Sequence, residues 1–160
     1  MESSMKSLFV SAFLLALAAT ATAAGPAPDF SGTWKLDTTR GENLGMMSAL
    51  QQVVVITQSK TGITMKEETD FQGQKSAREV HFDLSGAPVR NPGSMGGEAE
   101  TAASVADGKL VVTWTTEGAV AGTKKVRTET RSLSADGRTM TVVSSRGTGQ
   151  DVVIVYGKAE

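Results

Sequence analysis

The chain has 160 residues, with 16 lysines and arginines against 17 aspartates and glutamates, and a formal net charge of −1. No stretch concentrates positive charge, so nucleic acid is not expected as a partner, and anionic membrane surfaces are disfavoured for the same reason. Cysteine is absent, which removes thiolate zinc sites, cysteine nucleophiles, disulfide staples and the attachment point of a lipoprotein.

Residues 1–23 read as a secretory signal. Lys6 supplies the positive start, Leu8 to Leu17 the apolar run, and Ala21-Thr22-Ala23 a small-x-small cleavage site. Met5 offers an alternative start. The apolar run is short for a bilayer span, so no transmembrane segment is expected in the mature chain, residues 24–160. That chain forms one domain, large enough to bury about two thirds of its unfolded surface. Its expected location is periplasmic or extracellular, after cleavage near Ala23. Gly25-Pro26-Ala27-Pro28 is a stiff lead-in, because each proline fixes its own φ and biases its predecessor away from helix.

The first strand is expected over residues 31–37, with Trp34 and Leu36 on one face and Lys35 on the other. Residues 38–51 break the alternation: Leu44, Met47 and Leu50 fall at helical spacing, and Asn43 offers an N-cap. A short amphipathic helix or ordered loop is expected there. From residue 52 the chain repeats a strand of seven to ten residues and then a turn signal. The first such strand covers 53–59. The next, 63–71, sets Ile63, Met65, Thr69 and Phe71 against Lys66, Glu68 and Asp70. After Gln72-Gly73, residues 76–84 turn Val80, Phe82 and Leu84 inward and Glu79, His81 and Asp83 outward.

Residues 85–97 form the longest irregular stretch, rich in glycine and proline. Loops of such length in a compact domain are often functional or mobile. A weak strand of small residues over 98–105 leads to Asp107-Gly108, a hairpin signal. Residues 109–116 place Leu110, Val112 and Trp114 together. Over 123–133, Lys125, Arg127, Glu129 and Arg131 share one face, and Val126, Thr128 and Thr130 the other. The second face is taken as inward. Residues 134–138 turn into a final hairpin of strands 139–145 and 151–158.

The fold class is therefore all-β, an antiparallel up-and-down barrel of eight to nine strands. Tight hairpins in sequence favour a barrel over a Greek-key sandwich, and closure leaves no exposed edge. A membrane barrel would need an apolar outer band, which the charges of 66–70 and 125–131 oppose.

Gly32-Thr33-Trp34, the turn Leu133-Ser134-Ala135-Asp136-Gly137-Arg138-Thr139 and the closing Val155-Tyr156-Gly157-Lys158 resemble the lipocalin-like (calycin) group, particularly small exported bacterial lipocalin-like proteins. The resemblance implies that Trp34 plugs the closed end of the barrel under an arginine, for which Arg131 and Arg146 are both candidates. Residues 30–50 are also similar to the opening of fatty-acid-binding proteins, where a Gly-Thr-Trp strand leads into a helical lid. Their terminal Arg-x-Tyr corresponds here to Ile154 and Tyr156, so that arginine is missing.

His81 and Asp83 alternate on one strand face, but two ligands fall short of the usual three or four for a metal, and a solvated face is the plainer account. Glu67 lies on the face of Met65 and Phe71. It either anchors a ligand's polar head inside the barrel, with desolvation acting on its carboxyl, or sits at a strand end or bulge that puts it in water. Gly118 to Lys124 is one residue short of a phosphate loop and joins two strands, so it is rejected. Ala99, Thr101, Ala103, Thr128 and Thr130 are small inward residues, whereas Met65, Phe82, Trp114 and Tyr156 are large. Such a mixture either leaves room for a small molecule or interdigitates to fill the barrel.

The functional expectation is a monomeric, non-enzymatic barrel that binds a small apolar or amphipathic molecule without metal or cofactor. The ligand-contacting residues are Met65, Glu67, Phe82, Trp114 and Tyr156, with entry near residues 38–51 or 85–97. The alternative is a filled barrel acting through its surface as an envelope interaction or stress-associated module.

Overall fold

The computed structural model describes residues 27–94, 96–147 and 149–160. The expected signal segment lies outside the described residues. Ten antiparallel strands make one sheet: β1 (Gly32–Leu36), β2 (Leu50–Gln58), β3 (Gly62–Phe71), β4 (Gln74–Asp83), β5 (Val89–Pro92), β6 (Glu98–Ala106), β7 (Lys109–Glu117), β8 (Lys124–Leu133), β9 (Thr139–Ser145) and β10 (Val152–Lys158). Their spatial order is β4-β3-β2-β1-β10-β9-β8-β7-β6-β5. The meander is thus wrapped so that β1 pairs with β10, Trp34 opposite Lys158 and Leu36 opposite Tyr156. β4 and β5 are left facing one another at the two ends of the sheet, and the barrel is nearly closed.

Ten strands correct the expected eight to nine. The extra one, β5, lies inside the stretch 85–97 that reads as irregular. Four residues ending in Pro92 are too few to display a period of two, and the strand exists through its pairing of Val89 with Thr101 and Asn91 with Ala99. A second correction concerns residues 38–51, where the helix is only a 3-10 turn, Gly45–Ala49. Asn43 does not cap it: its φ is 55°, and its Nδ2 donates to the Asp151 carbonyl at 2.8 Å. Tight hairpins form where glycine follows a residue that tolerates positive φ. Gln72-Gly73 (53° and 85°) and Asp107-Gly108 (50° and 68°) have both central residues left-handed, matching strand twist.

The interior is one apolar cluster that includes Phe30, Trp34, Val54, Ile56, Ile63, Met65, Val80, Phe82, Leu110, Val112, Met140 and Val142. Trp34 is fully buried, and its Nε1 donates to the Phe30 carbonyl at 2.8 Å. The cation over its ring is Lys158, with Nζ 5.3 Å from the centroid. Neither Arg131 nor Arg146 fills that place, because Lys158 is brought there by the direct β1–β10 register.

The third correction is the largest. β8 turns its charged face inward: Glu129 and Arg131 are buried, while Val126 is 52% exposed. Thr128 and Thr130 are therefore not core residues. The register decides this, because Arg127, Glu129 and Arg131 lie opposite Trp114, Val112 and Leu110, which all point inward on β7. Elsewhere the expected alternation holds, with Ala99, Thr101 and Ala103 inside and Lys66, Glu68, Glu79 and His81 exposed.

Candidate functional site: a charged cluster inside the barrel

Three arginines and two glutamates from β3, β4 and β8 converge on Trp114. On β3, Glu67 alternates inward with Ile63 and Met65 and is 7% exposed. No bulge diverts it. Its cross-strand neighbour is Arg78, whose Nε donates to Glu67 Oε2 at 2.6 Å. Arg78 also lies over the Trp114 ring, 5.6 Å from the centroid. Arg127 covers the same indole at 5.1 Å, so Trp114 has two guanidinium groups as cation–π partners. Phe82 meets it edge-on at 5.7 Å between centroids.

On β8, Glu129 sits between two cations. Arg131 Nη2 donates to its Oε2 at 2.7 Å, and Arg127 Nη2 lies 3.1 Å from its Oε1. Burial pushes the Glu129 carboxyl up, yet Arg131 and Arg127 together outweigh it and hold the group below its usual value. Burial likewise opposes the charge on Arg131, and Glu129 reverses that effect to raise it. Arg127 behaves differently. Burial lowers it, Glu129 only partly compensates, and the like charges of Arg78, Arg146 and Arg131 lower it further.

Across the barrel, Tyr156 donates its hydroxyl to Gln52 Oε1 at 2.7 Å, and Gln52 Nε2 donates to Thr69 Oγ1 at 3.1 Å. Burial raises the Tyr156 hydroxyl above its usual range, with Arg131 opposing and Glu67 and Glu129 adding to it. The phenol is a neutral donor at any physiological pH. Two buried donors in this region, Arg131 Nε and Trp114 Nε1, have no hydrogen-bond acceptor among the described residues. The indole N–H is near enough to Glu129 to favour its ionised form without forming a well-aligned hydrogen bond. Buried donors left without partners are uncommon and costly.

Of the residues singled out in the sequence, Glu67, Phe82 and Trp114 come together around Arg78. Tyr156 joins them electrostatically through Arg131 and Glu67. Met65 does not. It pairs with Ile56 and Val80 and is fully buried in the apolar core. Sequence reasoning missed Arg78, Arg127, Glu129 and Arg131. The signal that could have found the three on β8 is that four charges alternate over 125–131 beside a β7 whose inward face contains Trp114. His81 is exposed, with Nδ1 3.1 Å from Thr64 Oγ1 and Nε2 3.1 Å from Glu79 Oε1. Among the described residues no group of three potential metal ligands occurs, and no helix is long and apolar enough to cross a membrane.

In sequence, neither a protein-family model nor a curated protein matches the chain. In structure it is similar to fatty-acid-binding proteins. The Echinococcus granulosus fatty-acid-binding protein 1 superimposes with a TM-score of 0.63 at 19% identity, covering 82% of this chain and 98% of that one. The Schistosoma mansoni fatty acid binding protein in complex with arachidonic acid gives 0.63 at 18% identity, covering 85% and 100%. A structure described as the REP1-NXSQ fatty acid transporter gives 0.64 at 14% identity, covering 82% and 97%. The chain shares the fold of these proteins, an all-β, antiparallel, nearly closed barrel.

Proposed function

We propose that this protein binds a small amphipathic molecule, an apolar chain with an anionic head, inside its barrel. The carrying observation is the charge count of the interior. Three guanidinium groups face two carboxylates, so one positive charge is in excess, shared by the buried Arg131 and the half-buried Arg78 and Arg127. An uncompensated buried charge is expensive, and an anionic head would relieve it while accepting from donors that lack partners. Arg127 is the cation with the most to gain, since burial and the like charges of Arg78, Arg146 and Arg131 disfavour its charge and Glu129 only partly compensates.

Of the expected contacts, Glu67 serves as a positioner of Arg78, Phe82 and Trp114 as the apolar wall, and Tyr156 as a neutral donor. Met65 contributes packing. The fatty-acid-binding proteins that share the fold support an apolar chain as the remainder of the ligand. Each methylene buried adds about 0.8 kcal/mol, so affinity for saturated carboxylates is expected to rise about fourfold per carbon until the barrel is filled. Native mass spectrometry of the protein with a chain-length series checks this. A series with no dependence on length would defeat the reading.

The protein is read as a monomeric, non-catalytic carrier that acts outside the cytoplasm, following the signal pattern of residues 1–23. A second reading has one observation in its favour. Two hollows, about 260 Å³ lined by Ile63, Phe82 and His81 and about 520 Å³ beside Asp29 and Gln58, are both wide open to solvent. A filled barrel acting through its surface would bind no member of the carboxylate series at any length.

A further inference from the structure

The outer face of β3 and β4 holds a cluster that the interior does not use. Thr64 lies directly opposite His81, and Lys66 directly opposite Glu79. Four polar side chains thus stand in two adjacent rows, with cross-strand Cβ atoms about 5 Å apart. The partner of His81 is not Asp83, with which it alternates in sequence, because Asp83 Oδ1 accepts the Ser85 N–H at 2.8 Å. It is Glu79, whose Oε1 lies 3.1 Å from His81 Nε2. The other carboxylate oxygen, Oε2, is 3.5 Å from Lys66 Nζ.

These contacts set the direction of each proton. A carboxylate can only accept, so Nε2 of the neutral ring carries the hydrogen and Nδ1 presents its lone pair. Thr64 Oγ1, 3.1 Å from Nδ1, is therefore the donor. A hydroxyl that donates to an imidazole, itself oriented by a carboxylate, is the arrangement that activates an oxygen nucleophile. Beside the pair is a hollow of about 260 Å³ whose lining includes Thr57, Gly62, Thr64 and His81. Gly62 adds no side chain to it. Thr57 is exposed and lies opposite Thr64 on β2, so its hydroxyl flanks the nucleophile on the side away from His81. Such a donor can meet a developing oxyanion.

We propose that this face is an acyl-transfer site for small carboxylic esters, with Thr64 as nucleophile, His81 as base and Glu79 as the positioning residue. Thr64 Oγ1 attacks the ester carbonyl carbon, and its proton passes to His81 Nδ1. Glu79 stabilises the imidazolium that results. The tetrahedral intermediate collapses as the bond to the alcohol oxygen breaks. The alcohol leaves with the proton from Nδ1, and the acyl group stays on Thr64. Water then attacks the acyl-Thr64 ester, giving its proton to His81 in the same way. The carboxylic acid departs and the threonine hydroxyl is restored. The site goes beyond the carrier reading, which concerns the interior of the barrel, and neither depends on the other.

The probe is p-nitrophenyl acetate. The unaltered protein is expected to release p-nitrophenolate at least about tenfold faster than Thr64→Ala or His81→Gln, a modest share of what a positioned base supplies. Thr64→Ser, which keeps a hydroxyl, is expected to recover most of the loss seen in Thr64→Ala. Glu79→Gln is expected to lower kcat with KM unchanged, and Glu79→Asp to recover part of it. After brief exposure and an acid quench, tandem mass spectrometry is expected to find the acetyl group on Thr64. Equal rates in Thr64→Ala and the unaltered protein would make His81 a lone surface imidazole and overturn the proposal. Acetylation confined to lysines, or release no faster than with an equal concentration of N-acetylhistidine, overturns it as well.

Discussion

Trp34 and Trp114 are 0% and 3% exposed, and each has a cation over its ring, but they occupy opposite kinds of interior. Trp34 has its one polar atom satisfied by the Phe30 carbonyl and lies in the apolar cluster. Its contribution is area and shape. Trp114 lies against two guanidinium groups, and its N–H finds no acceptor. The contrast teaches that burial does not separate a structural residue from a functional one in this barrel. Unspent polar capacity does: a surplus positive charge and orphaned donors have no use in a finished core.

The largest effect that would sharpen the contrast is expected at the satisfied end. Trp34→Ala should cost about 3–5 kcal/mol, as for a large buried aromatic, measured by urea denaturation. An unchanged melting temperature would break the assignment of Trp34 to the apolar core. Arg131→Met should cost about 3–5 kcal/mol by a different mechanism, because it leaves Glu129 buried with only Arg127 beside it. Adding Glu129→Leu should recover much of the loss, since an apolar pair can replace a buried ion pair at little cost. A double variant as unstable as the sum of the two single changes would argue against charge compensation.

Smaller changes separate the two indoles directly. Trp34→Phe leaves the Phe30 carbonyl unpaired and should cost about 1–3 kcal/mol. Trp114→Phe breaks no hydrogen bond and should cost at most about 1 kcal/mol. Equal losses would remove the distinction drawn here.

A similarly small effect is expected of Tyr156→Phe, about 1 kcal/mol for its bond to Gln52, and its signature is in the pH profile. Burial raises the Tyr156 hydroxyl above the usual tyrosine value of 10.0. Its contribution is therefore complete below that pH and is lost as pH rises toward the raised native value. Glu129 works in the opposite sense. Its carboxyl is held below the usual 4.5, so its contribution is present above that pH and is lost as pH falls through the lowered native value. Urea titrations across pH should show a shallower alkaline decline in the Tyr156→Phe variant and an unaltered acid limb.

Much of the barrel was legible from alternation. Met65 and Glu67 on β3, Val80 and Phe82 on β4, and Leu110, Val112 and Trp114 on β7 all face inward as the period of two requires. The hairpins at Gln72-Gly73 and Asp107-Gly108 follow from positive φ. What could not be read was β8, because the rule that charged faces point outward is statistical, and here cross-strand register overrides it. Arg127 and Arg131 are inside because Glu129 and Trp114 await them, a condition set by three-dimensional neighbours. β5 was hidden for a related reason: a strand of four residues is defined by its partner. The same ambiguity gave Trp34 two candidate arginines when the true cation, Lys158, lies across the ladder that joins the first and last strands.

The central claim is that the barrel takes an anionic amphiphile at the cluster around Trp114. The direct test uses Trp34→Phe, which leaves Trp114 as the sole tryptophan, since the chain contains two. Titration with oleate should give a saturable change in Trp114 emission, and oleyl alcohol, with the same chain and no charge, should bind at least tenfold more weakly. No change with oleate, or equal affinity for the acid and the alcohol, would contradict the account.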